Sequence, residues 1–381
     1  MKISLVSTPN GIDTLRGAKK YCQDFARLCY SEKNMEGVHA EAYSFKLVDR
    51  LIHSGHHSVF DHFNMSLYLE DVPKAMAMVL NNEPPYATSE KSARYTEMDD
   101  VPDAQKILYD KWKGIFVGEI GKIYPKSVPG REEKISKLAQ ENARYVTSVF
   151  TPTKMGYTIS IRQMNILADN FEWLGGCNPF TDVFKNRLFQ EGVAPFLESE
   201  VVERFRISGL RDKSDRGVKL FAGEVEEHFG EDAYSTNLQM SLACLAQNQR
   251  HRVTHNHISS GPELGAPMGY FVPPIIGGNS DLESEWISDL NSISDQDFPQ
   301  AQIIGVAERG NREDLEMKLR ERNCGLAQLE IAKVMDGLVQ KYSSHIEDMG
   351  RLRGATCLSS GSRCEKGGCV FGPQQAISRV V

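Results

Sequence analysis

The sequence predicts an α+β protein built as two related halves, each a small sheet packed with helices. Three observations predict it. Short runs of alternating polarity stand among longer stretches of helical periodicity. Two of these runs lead straight into an apolar helix, one in each half. A chain of 381 residues also exceeds one typical domain of roughly 100–200 residues.

In chain order, residues 2–7 (KISLVS) alternate as a strand. Residues 12–30 are helical, with Leu15, Ala18, Cys22, Phe25, Ala26 and Cys29 on one face. A second helix is expected over 38–52, stopped by Ser54-Gly55. The polar loop 55–62 (GHHSVFDH) is dense in histidine, and 63–72 (FNMSLYLEDV) alternates as a strand. PKAMAMVL opens a helix at Pro73, which NNEPP stops. SEKSARY (89–95) reads as loop, 103–122 and 132–147 as helices, KMGYTISI as a strand, and 161–173 and 180–196 as helices. In the second half, 233–240 is a strand candidate and 241–252 (SLACLAQNQRHR) a helix directly after it. A Gly/Pro-rich loop (261–279) precedes helices at 281–291, 311–323 and 326–345, and the tail from Gly350 reads as irregular. The order of strand, helix, polar loop and late helical pair thus recurs. The boundary between halves is placed near residue 197.

Composition narrows the function. The chain carries 44 Lys+Arg against 51 Asp+Glu, net −7, with 40% apolar and 25% charged residues. These values exclude a disordered or collagen-like chain. No run approaches the roughly 20 apolar residues of a membrane helix, and MKISLVSTPNG lacks a signal peptide's apolar stretch, so a cytoplasmic protein is expected. Net acidity argues against nonspecific nucleic-acid binding. Eight cysteines without a secretion signal do not suggest a disulfide framework.

The chemistry concentrates where helix 241–252 ends, in Arg250-His251-Arg252. On a helix, Gln247 shares a face with Arg250 and His251. Cationic groups crowded there repel one another, an anion offsets that repulsion, and arginine's planar fork suits phosphate. Cations completing a helix dipole would look the same.

The triplet and Ser260 fit RHR-x7-S, which resembles the signature of flavin-dependent thymidylate synthases, the family that methylates dUMP without a catalytic cysteine. RLIHSGHHSVFDHFNMSLYLEDVPKAM, SEKSARY, TPTKMGYTISIRQMN and LRERNCGLAQLEI resemble further family segments. The resemblance covers most of the chain as two incomplete copies, residues 1–197 and 198–381, the latter ending in the Cys-rich tail 350–381. It implies small antiparallel sheets in both.

The copies have lost different parts. Where the first should carry RHR it has Asn82-Glu83-Pro84, and where the second should carry the Glu-x-Ser-x-Arg loop it has Ile258, Ser260 and Pro262. By resemblance, Gln247, Arg250 and Arg322 of the second copy complement Glu90, Ser92, Arg94 and Arg144 of the first as nucleotide-binding residues. Asp295 stands at the Arg144 position and Phe171 at the Arg322 position. Random decay would more often damage both sets, so one composite site divided between repeats is expected. His56, Ser58, Asp61 and Arg162 match FAD contacts, as do Arg250, His251 and Arg252. Ser160 stands where the family usually has Asn.

The resemblance further implies conversion of dUMP to dTMP with reduced FAD, methylene-tetrahydrofolate and NADPH, with Arg322, Arg250 and Ser92 as catalytic residues. Related outcomes are hydroxymethylation of a pyrimidine nucleotide, or nucleotide and flavin binding without turnover. The family is tetrameric with one repeat per chain, so a homodimer forming a pseudo-tetramer is expected, with no membrane or nucleic-acid partner. Cys324 and Cys357-x6-Cys364-x4-Cys369 offer four soft ligands for a structural zinc, though their spacing is not a standard zinc pattern and free thiols in a loose tail are the commoner explanation.

Overall fold

The computed structural model describes residues 1–94, 96–98, 100–176, 182–210, 217–263, 265–293, 295–343, 357, 369–371 and 379–381. The chain forms two compact units that interleave along the sequence: Met1–Lys91 with Pro152–Val218, and Ser92–Thr151 with Lys219–Val381. The division near residue 197 concerns the order of elements, whereas these units are defined by contact.

The first unit is built on an antiparallel sheet of β1 (Lys2–Ser7), β2 (Asn64–Pro73), β3 (Ala87–Glu90) and β4 (Pro152–Ser160), in the order β1-β2-β4-β3. Alternation decides which face is buried. Met65, Leu67 and Leu69 of β2 and Met155, Tyr157 and Ile159 of β4 are buried. The helix Ile161–Gly176 follows β4 without a loop and buries Met164, Leu167 and Phe171. Phe171 meets Phe196 edge to face at 5.1 Å.

The second unit carries an antiparallel sheet of β5 (His228–Phe229), β6 (Ala233–Ser241), β7 (His255–Ser260) and β8 (Ile303–Asn311), in the order β5-β6-β8-β7. The α+β class and the antiparallel sheets are therefore as the sequence predicts. The sheets also share local grammar. β2 runs directly into the helix Lys74–Leu80, and β6 runs directly into Leu242–Asn248. β4 and β8 likewise run directly into Ile161–Gly176 and Arg312–Arg322. A separate helical core holds Trp112, Phe116 and Ile120 of Asp103–Ile123, Ala139 of Arg131–Ala143, and Trp286 and Leu290 of Ser280–Ser292. Trp112 stands edge-on to Trp286 at 4.7 Å, and its Nε1 donates to Asp289 at 2.8 Å.

Several expected elements differ. The helix expected over 38–52 is two, Met35–His39 and Phe45–His53, because Ser44 caps a new start by accepting from Leu47 N. The loop 55–62 contains a 3₁₀ helix, His57–His62. Ser89 and Glu90 belong to β3. The segment 180–196 includes a π-helical turn, Phe189–Val193, where a Cβ on Gly192 would sit 2.8 Å from Met76 Cβ. The helix expected over 241–252 ends at Asn248, so Arg250-His251-Arg252 lies in the turn beyond it. β7 and β8 have no counterpart in the sequence reading. Residues 304–308 of β8 are all buried, so the strand shows no alternation to detect.

One charged network lies under the second sheet. Glu308 and Lys318 are fully buried and ion-paired. The carboxylate also accepts from the Tyr234 hydroxyl at 2.7 Å and from Asn248 Nδ2 at 2.5 Å. Removing one member of such a pair strands the other in low dielectric. Lys318→Met is expected to cost about 3–5 kcal/mol in urea denaturation, with much of the loss recovered by adding Glu308→Leu.

Candidate active site

In the first unit, the candidate residues cluster around the 3₁₀ turn. His56 and Ser58 are exposed at its start. His57 is the buried member, its Nε2 against the Ile52 carbonyl at 2.9 Å. His62 does not pack beneath the turn but stacks on Phe25 at 4.1 Å with its edge open. Asp61 accepts from Arg162 Nη1 at 2.7 Å and from Ser160 Oγ at 2.9 Å. Ser160 also caps the following helix by accepting from Gln163 N, so serine here joins the acid to the helix start. His56 and Ser58 border a groove of about 640 Å³ that also meets Arg27, Ser31, Arg50 and Val59.

Glu90 is buried in the same unit, where its carboxylate accepts from Lys74 Nζ and Asn81 Nδ2. Phe171, set opposite Arg322 by the resemblance, is wholly buried. Asn82 and Glu83, where the resemblance would put an arginine triplet, are buried too.

The remaining candidates all fall in the second unit: Ser92, Arg94, Arg144, Gln247, Arg250, His251, Arg252 and Arg322. Ser92 Oγ accepts from Arg94 N at 3.4 Å, a local turn that sets the arginine's direction. Arg94 Nε donates to Glu141 at 2.7 Å and its Nη2 to the Leu326 carbonyl at 3.1 Å. Both lie on a cavity of about 300 Å³ with Lys134, Lys137 and Leu326. Burial holds the Arg322 guanidinium below its ordinary pKa, and nearby Arg94 and Arg250 push the same way while Glu321 opposes. Arg322 is thus close enough to feel both other guanidiniums. Arg250 and Arg252 are exposed.

His251 differs from its neighbours. It is buried and accepts from Arg322 Nε at 2.6 Å. Burial, then Arg322 and Lys318, lower its pKa to about 3. The ring is therefore neutral near pH 7 and adds no charge to the triplet.

Arg144 is reached through a chain of buried polar groups. Its Nη2 donates to Gln328 Oε1 at 2.6 Å, and Gln328 Nε2 donates to the Tyr145 hydroxyl. That hydroxyl donates to Glu330 at 2.5 Å, and Glu330 also accepts from Ser241 N and Oγ. Desolvation raises the Glu330 carboxyl pKa. Arg144 Nε and Gln247 Oε1 are buried with no partner among the described residues. Gln328, Tyr145 and Glu330 were absent from the sequence-derived set. The only sequence signal for them is their place beside Arg144 and in AQLEI.

The metal expectation gains no support. Among the described residues no three His, Cys, Asp or Glu side chains gather to hold an ion. Cys324 and Cys369 are free thiols, and Cys364 lies outside the described residues. Arg379 donates to the Cys324 and Ala327 carbonyls, tying the tail to that loop by backbone contacts. No described helix is long and apolar enough to cross a membrane.

The fold is α+β, and its second unit brings Arg94 and Arg250 near Arg322. Residues 12–168 match the family model Thy1, thymidylate synthase complementing protein. No curated protein matches the chain. Among solved structures, a UMP/dUMP methylase, PolB from Streptomyces cacaoi, bound with 5-Br dUMP, is 20% identical over 44% of this chain and 76% of its own, with a TM-score of 0.29. Thymidylate Synthase X (ThyX) from Helicobacter pylori, with FAD and dUMP, is 14% identical over 53% of this chain and 100% of its own, with a TM-score of 0.30.

The buried polar chain is testable by itself. Tyr145→Phe deletes a hydroxyl that serves both Gln328 and Glu330 and leaves them under-satisfied. Stability is expected to fall by about 1–3 kcal/mol in denaturant titration, whereas Tyr124→Phe, at a tyrosine outside this network, serves as the near-neutral control.

Proposed function

We propose that the chain is a flavin-dependent methylase of a uracil nucleotide, converting dUMP to dTMP with methylene-tetrahydrofolate as carbon donor and NADPH as reductant. The observation that carries the reading is the gathering of Arg94, Arg250 and Arg322 in one unit beside Ser92. The Thy1 match over residues 12–168 supports it.

In this reading Ser92 and Arg94 hold the phosphate, since a fixed arginine fork and a hydroxyl suit its oxygens. Arg144 and Gln247 hold the nucleotide through the buried Nε and Oε1 that have no partner among the described residues. Arg322 meets the carbonyl edge of the uracil and stabilises the negative charge that develops as C5 becomes nucleophilic. Arg250 serves nucleotide and cofactor. Orientation and electrostatics then supply most of the rate, because no strong general base stands among these residues. A cysteine route is disfavoured at Cys244, whose buried thiol has its pKa pushed far up.

The first unit's groove fits a flavin nucleotide. It has the volume of a ligand pocket, exposed donors at His56 and Ser58, and Arg27 and Arg50 on its wall. Asp61 and Arg162 border the same turn, and Arg252 is assigned to the cofactor by resemblance. Bound FAD would supply the hydride that reduces the transferred carbon. The matching strand order of the two sheets supports descent from one duplicated unit, with complementary losses at Asn82-Glu83-Pro84 and at Ile258 to Pro262. On that view a homodimer supplies four repeats.

Tritium release from C5-labelled dUMP with reduced flavin and methylene-tetrahydrofolate tests the reaction. Product mass separates methyl from hydroxymethyl transfer, and no release with retained dUMP binding identifies a protein that binds without turnover. Arg94→Ala is expected to raise KM by roughly tenfold or more, the loss of a charge-assisted hydrogen bond. Arg322→Ala is expected to lower kcat by about 100-fold or more. Equal changes in both parameters for both variants would contradict this assignment. Sedimentation showing only monomer would remove the dimer.

A further inference from the structure

The proposed reaction leaves the His251 side chain without a task, and its surroundings supply one. The ring is buried, and Arg322 Nε donates to its Nε2 at 2.6 Å. Arginine only donates, so Nε2 carries the lone pair and the ring proton sits on Nδ1. A guanidinium free at all its nitrogens swings about its side-chain torsions. One held at Nε keeps its two terminal nitrogens as a fixed edge, the geometry that pairs with a carbonyl or carboxylate face.

We propose that His251 is a positioning residue, whose Nε2 lone pair fixes the Arg322 guanidinium so that its terminal nitrogens face the nucleotide. The inference rests on the nucleotide reading above for the identity of that ligand. The hydrogen bond itself stands without it. The role replaces a direct flavin contact by this side chain, which is buried and turned to Arg322.

The arrangement also explains why a histidine tolerates this place. Two cations, Arg322 and Lys318, face it, and a protonated ring would repel both. Glu308 is bound by Lys318, Tyr234 and Asn248. Glu321 approaches no nearer than 3.7 Å and is mostly exposed. The balance favours the neutral ring, and only the neutral ring can accept from arginine.

Two measurements test this separately from the reaction. In ¹⁵N NMR of histidine-labelled chain, the His251 signal, identified by its disappearance in His251→Gln, should show the Nδ1-protonated tautomer and no titration between pH 5 and 8. Titration near 6.5, the ordinary histidine value, or an Nε2-protonated ring overturns the proposal. In calorimetric titration with dUMP, His251→Leu should bind about tenfold more weakly. His251→Gln, whose amide oxygen keeps an acceptor, should lose clearly less. No loss in His251→Leu, or equal loss in both, also overturns it. Absence of dUMP binding by the unaltered chain would sink the nucleotide reading instead, and the tautomer measurement would then judge His251 alone.

Discussion

The second unit depends on one buried carboxylate. Glu308 sits in the middle of β8 with no access to water and gathers Lys318, Tyr234 and Asn248 around it. An ion removed from water costs several kcal/mol, and a single partner rarely offsets that. Here the cation and two neutral donors together satisfy the carboxylate. The burial lowers the Lys318 pKa, and desolvation and attraction compete at Glu308, with Lys318 holding the carboxyl below its usual range. The pair ties β8 to the helix Arg312–Arg322, and Asn248 ties the end of Leu242–Asn248 to the same point.

The candidate site follows from that anchoring. Lys318 and Arg322 are four residues apart on one helix and share a face, so fixing Lys318 beneath the sheet fixes where Arg322 emerges. Asn248 faces inward to Glu308, and the chain beyond it turns rather than continuing as helix. That turn brings His251 inside to Arg322 Nε and leaves Arg250 and Arg252 outside. Glu330 plays a similar part at one remove, holding Ser241 at the start of the apolar helix and Tyr145 next to Arg144. Arg322 and Arg144 are thus placed by two acids that are themselves buried.

Much of this was legible in the sequence, and the reasons for the exceptions are physical. β2, β4 and β6 declare themselves by alternation because one face is buried and the other open. β8 hides because it is buried on both faces. The arginines could be read because their spacing and neighbours resemble a known pattern. His251 was legible as a motif letter but not as a neutral acceptor, since helical periodicity carried it onto the helix surface with Gln247. Only the early stop at Asn248 reverses its direction. That stop depends on Glu308, sixty residues away in the chain, which no local pattern connects to it.

The same reasoning explains a contrast between the two units. In the first, Phe171, which the resemblance sets opposite Arg322, packs against Phe196, and an apolar ring needs no buried acid to place it. Glu83, where the triplet would lie, is itself buried. The second unit holds both the arginines and the costly charged network beneath them. Such a network is weak evidence for stability, since apolar groups of similar volume often do as well. What the network does provide is position: Lys318 fixes the helix that carries Arg322, and Asn248 fixes the point where the chain turns toward His251.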